Sequence, residues 1–367
     1  MRFPGFEGEW DVRKLGDIAE VVGGGTPDTR AEEYWNGNIQ WFTPSEIKSL
    51  FVSKSIRTIT ELGLKKSSAK LLPKGTILLT TRATIGDVAI AIEECSTNQG
   101  FQSLIINEKS NNIFVLNWIL QNKNEFIKQA KGSTFAEISK KDVEKIILFA
   151  PSVTEQLKIS SFLTLIDERI STQIKIIEDI KILKNGIRNI LFKQTEKNSL
   201  DVKPVKDLIK YEQPTKYIVK NTNYSSNETL IPVLTANKAF ILGYTNEENG
   251  VYNKGDCIIL DDFTMDLKYV DFPFKVKSSA IKILQPKSNV NLGFIYEYFL
   301  FLNLQSSEHK RHYISEIEPM KIPLVDITKQ EKIASLLFSI DKKLNIEESL
   351  LLAYHRQKKY LLQNLFI

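Results

Sequence analysis

Along two stretches of the chain, apolar residues recur with the spacing of a helix face. In the first they fall at Ile159, Leu163, Ile166, Ile170, Ile174, Ile177, Ile180, Leu183, Ile187 and Ile190. Steps of three and four residues keep such a stripe on one side of a helix. No proline falls between Ser152 and Asn198, and Gly186 is the weak point, costing ~1 kcal/mol relative to alanine. Ser152 and Glu155 follow Pro151 at capping-box spacing, so the helix is predicted to start there. The second stripe runs Ile333, Leu337, Ile340, Leu344, Leu351, Tyr354, Leu361 and Leu365.

The two stripes are one segment written twice. "TEQLKISSFLTLIDERI" begins at Thr154 and "TKQEKIASLLFSIDKKL" at Thr328, an offset of 328 − 154 = 174 residues without a gap. Eleven identities join residues 154–192 to 328–366, and both copies end on Leu-Phe. Each helix would run roughly 55–60 Å at 1.5 Å per residue. A helix that long with one apolar face needs a long partner, and the other copy supplies one. The two are predicted to pack antiparallel as a coiled coil through Ile159, Leu163, Ile166, Ile170, Ile177, Ile333, Leu337, Ile340, Leu344 and Leu351.

The segments ahead of the helices are related more faintly. "KGTILLTTRAT" at Lys74 aligns with "KGDCIILDDFT" at Lys254, and "KSNN" at Lys109 echoes "KSNV" at Lys287. An amphipathic helix follows each, expected over Ile113–Lys131 and Leu292–Leu304. Strands are expected over Gln40–Thr43, Ile77–Thr81, Val88–Ile92, Gln102–Ile106, Leu230–Leu234, Cys257–Leu260 and Ala280–Leu284. "KIILFAP" and "KIPLV" then lead into the long helices. The fold class is therefore α+β. Two globular domains, 1–151 and 199–325, are each followed by a long helix, 152–198 and 326–367, in pseudo-twofold symmetry. A two-headed molecule with a spacer suits a two-part target, and on DNA half-site spacing mirrors protein symmetry; the alternative is a coiled-coil scaffold without a DNA role.

Composition narrows the chemistry. The 367 residues carry a net charge of +5, with 49 Lys+Arg against 44 Asp+Glu, which fits nucleic acid without requiring it. Cys95 and Cys257 alone build no disulfide framework or cysteine zinc site, and a reducing cytoplasm is expected. The charged start lacks a signal-peptide core, and no run of ~18 apolar residues exists. No Gly-Lys dipeptide occurs, hence no P-loop. No Pro-Pro occurs either, which removes the Asn/Asp-Pro-Pro-aromatic loop of amino-methyltransferases. "VVGGGTP" at Val21 is not a dinucleotide fingerprint; a flexible or left-handed loop is expected. Asp28, Glu46 and Lys48 spell the PD…ExK pattern of Mg-dependent nucleases. The competing reading makes Pro44-Ser45 a helix cap with Glu46 in its first turn. Of His309, His312 and His355, the first two lie in "EHKRHY", either a metal pair or a phosphate-facing segment with Lys310 and Arg311. No catalytic residues and no metal site are expected.

Several loops interleave aromatic, hydroxyl and basic residues: "WFTPSEIKS", "TTRATIGD", "STNQGFQS", "KGSTFAEISKK", "PVLTANKAF" and "DDFTMDLKYVDFPFKVKSS". Such side chains contact base edges and phosphates. In order, "WDVRKLGDIAEVVGGGTPDTRAEEYWNGNIQWFTPSEIK", "LLPKGTILLTTRATIGDVAI", "STNQGFQSL" and "GSTFAEISKKDVEKIILFAPSVTEQLKI" resemble the target recognition domain of Type I restriction–modification specificity subunits. The second half, with "PVLTANKAFILGYTNEENGVYNKGDCIILDDFTMDLKYVDFPFKVKSSAIKIL", resembles a divergent second domain lacking the Gly-Thr-Pro and Thr-Asn-Gln-Gly stretches. The repeated helices match that family's two conserved regions in place and character.

This resemblance implies a non-catalytic subunit whose two domains each grip one half of a bipartite, asymmetric site in double-stranded DNA. It implies two adenine-N6 methyltransferase subunits as partners, then restriction subunits, with S-adenosylmethionine, ATP and Mg bound on those partners and no cofactor on this chain. Carried onto this sequence, the DNA contacts are Thr26, Thr43, Ser45, Arg82, Thr84, Asn98, Gln99 and Thr134 in the first domain. In the second they are Thr235, Asn237, Thr264, Lys268, Tyr269, Lys310 and Arg311.

Overall fold

A computed structural model describes residues 2–131, 136–199, 201–235, 239–306 and 311–366. The chain forms two compact units, Met1–Thr172 with Leu351–Ile367, and Gln173–Leu350. Each contains one mixed head and parts of both long helices.

The first head comprises β1 (Asp11–Lys14), α1 (Leu15–Ile18), β2 (Ala19–Gly23), β3 (Trp35–Phe42), β4 (Phe51–Val52), β5 (Arg57–Ile59), α2 (Glu61–Lys65), β6 (Ile77–Leu79), β7 (Val88–Ala91), β8 (Cys95–Thr97), β9 (Gln102–Ile106), α3 (Asn112–Gln121), α4 (Lys123–Gln129), α5 (Lys140–Lys145) and β10 (Ile147–Ala150). One sheet has the order β2-β9-β6-β7-β4 and a smaller one β5-β3-β8, while β1 pairs with β10. The central strand β6 is a continuous apolar run because both its faces are covered. Ile77 and Leu79 join Phe114, Val115, Trp118 and Ile119 of α3, and Leu78 joins Phe42, Leu72 and Ala89 behind. The long helix α6 (Val153–Asn198) follows β10, and its Ile159, Leu163, Ile166 and Ile170 complete the same core.

The second head repeats this plan with β11 (Asp201–Pro204), α7 (Val205–Leu208), β12 (Ile209–Glu212), β13 (Ile231–Leu234), β14 (Ile241–Thr245), β15 (Cys257–Asp261), β16 (Leu267–Val270), β17 (Lys275–Val276), β18 (Ile281–Pro286), α8 (Leu292–Leu302), β19 (Lys321–Leu324) and α9 (Ile327–Leu365). Its sheets run β12-β18-β15-β16, β14-β13-β17 and β11-β19. Even strand sense is kept. β3 pairs parallel with β8 and antiparallel with β5, as β13 does with β17 and β14. The duplication expected from sequence is thus a duplication of topology.

Some local expectations are corrected. The helix predicted over Ile113–Lys131 is two, α3 and α4, broken at Asn122, whose ψ of 24° leaves the helical range. Half of the Ser152 capping box forms. Glu155 N donates to Ser152 Oγ (3.3 Å), but the Glu155 carboxylate goes to Arg2 (2.8 and 2.7 Å). The "KSNN"/"KSNV" echo would equate Asn111 with Asn289, whereas the helix caps are Asn111 and Asn291, which accept Phe114 N and Phe294 N.

The identities in the repeat have physical causes. Gln156 Nε2 donates to the Pro151 carbonyl (2.9 Å), and its Oε1 accepts Asn111 N (2.9 Å). Gln330 does the same with the Val325 carbonyl (2.8 Å) and Asn291 N (3.0 Å). One buried amide therefore ties the strand end, the head helix and the long helix in each unit. The Leu-Phe ends recur likewise: Phe366 meets Phe114 (ring centroids 5.1 Å) and Phe192 meets Phe294 (5.3 Å).

Within each unit α6 and α9 pack together. The inward side of α6 steps by four and three through Ile159, Leu163, Ile166, Ile170, Gln173, Ile177, Ile180, Lys184, Ile187 and Leu191, all buried or half-buried. Adding 174 gives Ile333, Leu337, Ile340, Leu344, Glu347, Leu351, Tyr354, Lys358, Leu361 and Leu365, again buried or half-buried. This is the 3.5-residue seam of a coiled coil. Ile174, Leu183 and Ile190, expected on the stripe, are 40%, 58% and 59% exposed. Gln173, Lys184 and Leu191 hold their places, because the seam follows helix geometry and accepts polar residues that find partners.

The partners obey the repeat. Lys184 pairs with Asp341 (2.6 Å) in the second unit and Lys358 with Asp167 (2.5 Å) in the first. Since 167 + 174 = 341 and 184 + 174 = 358, this is one ion pair made twice. Gln173 Nε2 donates to Glu347 Oε2 (2.5 Å) and to the Glu347 carbonyl (3.1 Å). These residues are 174 apart, so each meets its own equivalent, as at the midpoint of an antiparallel pair of like helices. Lys184 also reaches the buried Glu297 of α8 (2.8 Å), which accepts from Arg188 as well (2.7 Å).

Candidate nucleic-acid interface

In the first unit, loops that are distant in sequence meet at one end of the sheets. Gly24 lies so close to the next loop that a Cβ there would strike the Asn98 carbonyl, and at Gly25 it would strike Ser68 and Ala69. Neither glycine has positive φ. The glycine run thus serves close approach, in place of the flexible or left-handed loop expected. Gly25 N donates to the Thr97 carbonyl (2.8 Å), and Trp41 Nε1 to the Gly25 carbonyl (2.8 Å). The next residue, Thr26, donates its hydroxyl to Gln99 Oε1 (2.5 Å).

Asn98 stiffens the neighbouring turn. Its N donates to the Phe42 carbonyl (3.0 Å), and its Oδ1 accepts Gly100 N (2.8 Å). Gly100 abuts Pro44, where a Cβ would sit 2.7 Å from Cγ. The Gly100 carbonyl accepts Thr81 N (2.8 Å), and the Thr81 carbonyl accepts Ile138 N (3.3 Å). Arg82 pairs with Glu137 (2.7 Å), and Thr84 N donates to the Arg82 carbonyl (2.7 Å) across Ala83, which has φ of 59°. Thr26, Thr43, Ser45, Arg82, Thr84, Asn98 and Gln99 are thereby brought to one loop end. Thr134 lies outside the described residues.

The second unit gathers its candidates less completely. Thr264 N donates to Asp261 Oδ1 (3.0 Å), and its hydroxyl to Asp266 Oδ2 (2.9 Å) in the β15–β16 hairpin. The Arg311 guanidinium lies 5.9 Å from the Phe263 ring of that hairpin. Thr235 N donates to the Phe240 carbonyl (2.8 Å), and Lys268 Nζ lies 5.9 Å from the Phe240 ring. Tyr269 stands apart. Neighbouring residues of a strand face opposite sides, and Tyr269 packs on Phe338 (4.9 Å) and Tyr296 (5.7 Å) away from Lys268. Its hydroxyl donates to Asp256 (2.6 Å), and burial first, then Asp256, pushes its phenol pKa up. Asn237 and Lys310 lie outside the described residues.

The nuclease pattern dissolves into local structure. Hydrogen bonds from Arg30 hold the Asp28 carboxyl below its usual range. Glu46 is a strut: Oε2 accepts Thr43 N and the Thr43 hydroxyl (both 2.7 Å), and Oε1 accepts Ile56 N (2.7 Å). The cap of this turn is Thr43, in place of the expected Ser45, with Pro44 in the first position, where a missing N–H costs nothing. Among the described residues no three His, Cys, Asp or Glu side chains could share a metal ion. His312 does not face outward as the phosphate-facing reading expected. It is buried, with Nε2 3.1 Å from Ser306 Oγ and Nδ1 2.9 Å from Glu316. His309 lies outside the described residues. Among these residues no helix is long and apolar enough to cross a membrane.

Ile56, outside the loops read from sequence, is tied to this loop end through Glu46 (2.7 Å). The sequence signal nearby is the basic run of Lys48, Lys54 and Arg57, with no acid between residues 47 and 60.

Known proteins agree with the doubled architecture. The MjaIX specificity subunit of a Type I restriction enzyme from Methanocaldococcus jannaschii is 40% identical over 173 residues, 46% of this chain and 40% of that protein. The EcoR124I/EcoR124II specificity subunit from Escherichia coli is 47% identical over 127 residues, 33% of this chain and 31% of that protein. The match thus spans less than half the length of either relative. The crystal structure of a Type I restriction-modification S subunit from M. genitalium shares the fold at a TM-score of 0.69 and 16% identity, covering 100% of this chain and 99% of that one. The family described as the Type I restriction modification DNA specificity domain matches residues 7–181 and again 197–353, and the chain belongs to it.

Proposed function

We propose that this chain is the specificity subunit of a Type I restriction–modification complex. Each head engages one half of a bipartite, asymmetric site in double-stranded DNA. The paired helices set the spacing between the half-sites and carry two like methyltransferase subunits, to which restriction subunits are added. The subunit is non-catalytic. Adenine-N6 methylation and DNA translocation belong to those partners, which hold S-adenosylmethionine, ATP and Mg. The complex works in the cytoplasm.

One observation carries this reading: the heads share a topology, but their loop ends present different side chains on it. The first has Thr26, Thr43, Ser45, Arg82, Asn98 and Gln99 at its loop end, while the second has Thr264 and Arg311 at the β15–β16 hairpin and Thr235 and Lys268 beside Phe240. Like scaffolds with unlike loops suit unlike half-sites, while helices repeated down to their ion pairs suit two copies of one partner. Arg82 and Glu137 are both well exposed, and such pairs contribute little. Arg82 can therefore exchange Glu137 for guanine or phosphate at small cost.

The test is the methylome of cells carrying this chain with its methyltransferase. Two half-sites separated by a fixed spacer are expected. Exchanging residues 1–150 for the corresponding head of a relative should change one half-site only. A change in both, or in neither, rejects the proposal.

A further inference from the structure

Ile56 is 87% exposed, yet the chain around it is firmly held. Ile56 N donates to Glu46 Oε1 (2.7 Å). Before it, Ser55 N donates to Gln40 Oε1 (2.7 Å), and Ser55 Oγ accepts Trp41 N (2.9 Å). After it, the Arg57 guanidinium lies 3.4 Å from the Trp35 ring centroid, a cation–π contact. A lone exposed apolar side chain is ordinary on a protein surface. This one differs in its fixed base, its surroundings and its tether. Residues 47–60 carry Lys48, Lys54 and Arg57, all exposed, and no acid. The carboxylate that holds Ile56 N also holds Thr43 through its other oxygen, so Ile56 belongs to the same loop end as Thr43 and Ser45.

The carboxylate at its base, Glu46, is taken up by Thr43 N, the Thr43 hydroxyl and Ile56 N itself. A rigidly based apolar side chain in a basic stretch of chain is complementary to the major groove. The bases meet phosphates, and the apolar group that a base edge presents there is the thymine 5-methyl. We infer that Ile56 is a specificity-determining residue that packs on a thymine methyl group in the half-site of the first head. This rests on the reading of that loop end as the DNA-facing surface.

The experiment uses the complex with its methyltransferase subunits. Duplexes carry the complete site with single thymines replaced by deoxyuridine, which removes the methyl and leaves base pairing intact. The native complex should lose about fourfold in affinity at one thymine, the worth of one buried carbon. Ile56→Ala should show no loss at that thymine, and Ile56→Val should keep most of it. Because the side chain is exposed, neither change disturbs packing. Specific binding with an unchanged uracil penalty in Ile56→Ala, or with no sensitive thymine, overturns this inference alone. Weakened methyltransferase association in Ile56→Ala, with base preference intact, also overturns it and assigns the residue to a protein contact. Binding without sequence preference by the native complex overturns the reading of the loop end as well.

Discussion

Gln156 and Gln330 show how much a single side chain carries here. Each is buried and each satisfies a backbone N–H and a backbone carbonyl at the joint. Gln156→Ala leaves Asn111 N and the Pro151 carbonyl unpaired in the interior. The expected loss is about 2–3 kcal/mol, read as a lower denaturant midpoint. Gln330→Ala should cost about the same, and a loss under ~0.5 kcal/mol in either would mean that water replaces the amide. The cysteines make an opposite case. Cys95 and Cys257 are buried in strands, and burial pushes both thiols up to about 12. The thiolate is the reactive form. Neither should be alkylated by iodoacetamide at pH 8 in the folded chain, and both should be after denaturation. Labelling of the folded chain would place a thiol at the surface.

At the scale of elements, the α6–α9 seam is the informative case. Its midpoint joins Gln173 to Glu347, and a hydrogen-bonded Lys343 first, then Gln173, holds the Glu347 carboxyl below its ordinary value of 4.5. Above that value Glu347 is ionised in both the folded and unfolded chain, and the pair contributes fully. As the pH falls, the unfolded chain takes up the proton first, so stability declines from about the ordinary value until the folded value is passed. Glu347→Gln should flatten this acid-side decline in a pH series of melting temperatures, and an unaltered series would assign the decline to other carboxylates. Outward residues behave differently. Leu183→Gln should change stability by less than ~0.5 kcal/mol, as at ordinary surface positions, whereas Ile177→Ala should cost about 2–4 kcal/mol. The reverse order would return the seam to the purely apolar stripe. That contrast marks what was legible in the sequence. Two helices, their extent and their repeat could be read from apolar spacing and identity. The path of the seam could not, because Gln173 and Lys184 become interior residues only through partners far along the chain. Loop geometry has the same limit. Gly24 and Gly25 are legible as glycines, but the reason for them, Asn98 and Ser68, is supplied by the fold. Thr26, Asn98 and Gln99 follow from family resemblance, and Ile56 does not, since its exposure and its tie to Glu46 have no sequence signature.

For the whole molecule, the proposed function makes the helices a spacer, and their repeat dictates how to test it. An insertion must be a full seven residues to return every seam residue to its side, and it must enter both copies at equivalent places. Residue 174 and its equivalent 348 suit this, since Ile174 and Glu348 are exposed and lie one step past the Gln173–Glu347 midpoint. Seven residues add roughly 10 Å at 1.5 Å each. With a duplex rise of ~3.4 Å per base pair, the methylated site should keep both half-sites while its spacer grows by up to about three base pairs. Insertion in one helix alone should instead offset Gln173 from Glu347 and part the repeated Asp–Lys pairs in one unit, lowering stability and abolishing methylation. An unchanged spacer with both insertions in place would show that spacing is set outside these helices, leaving the heads as readers but removing the helices as the ruler.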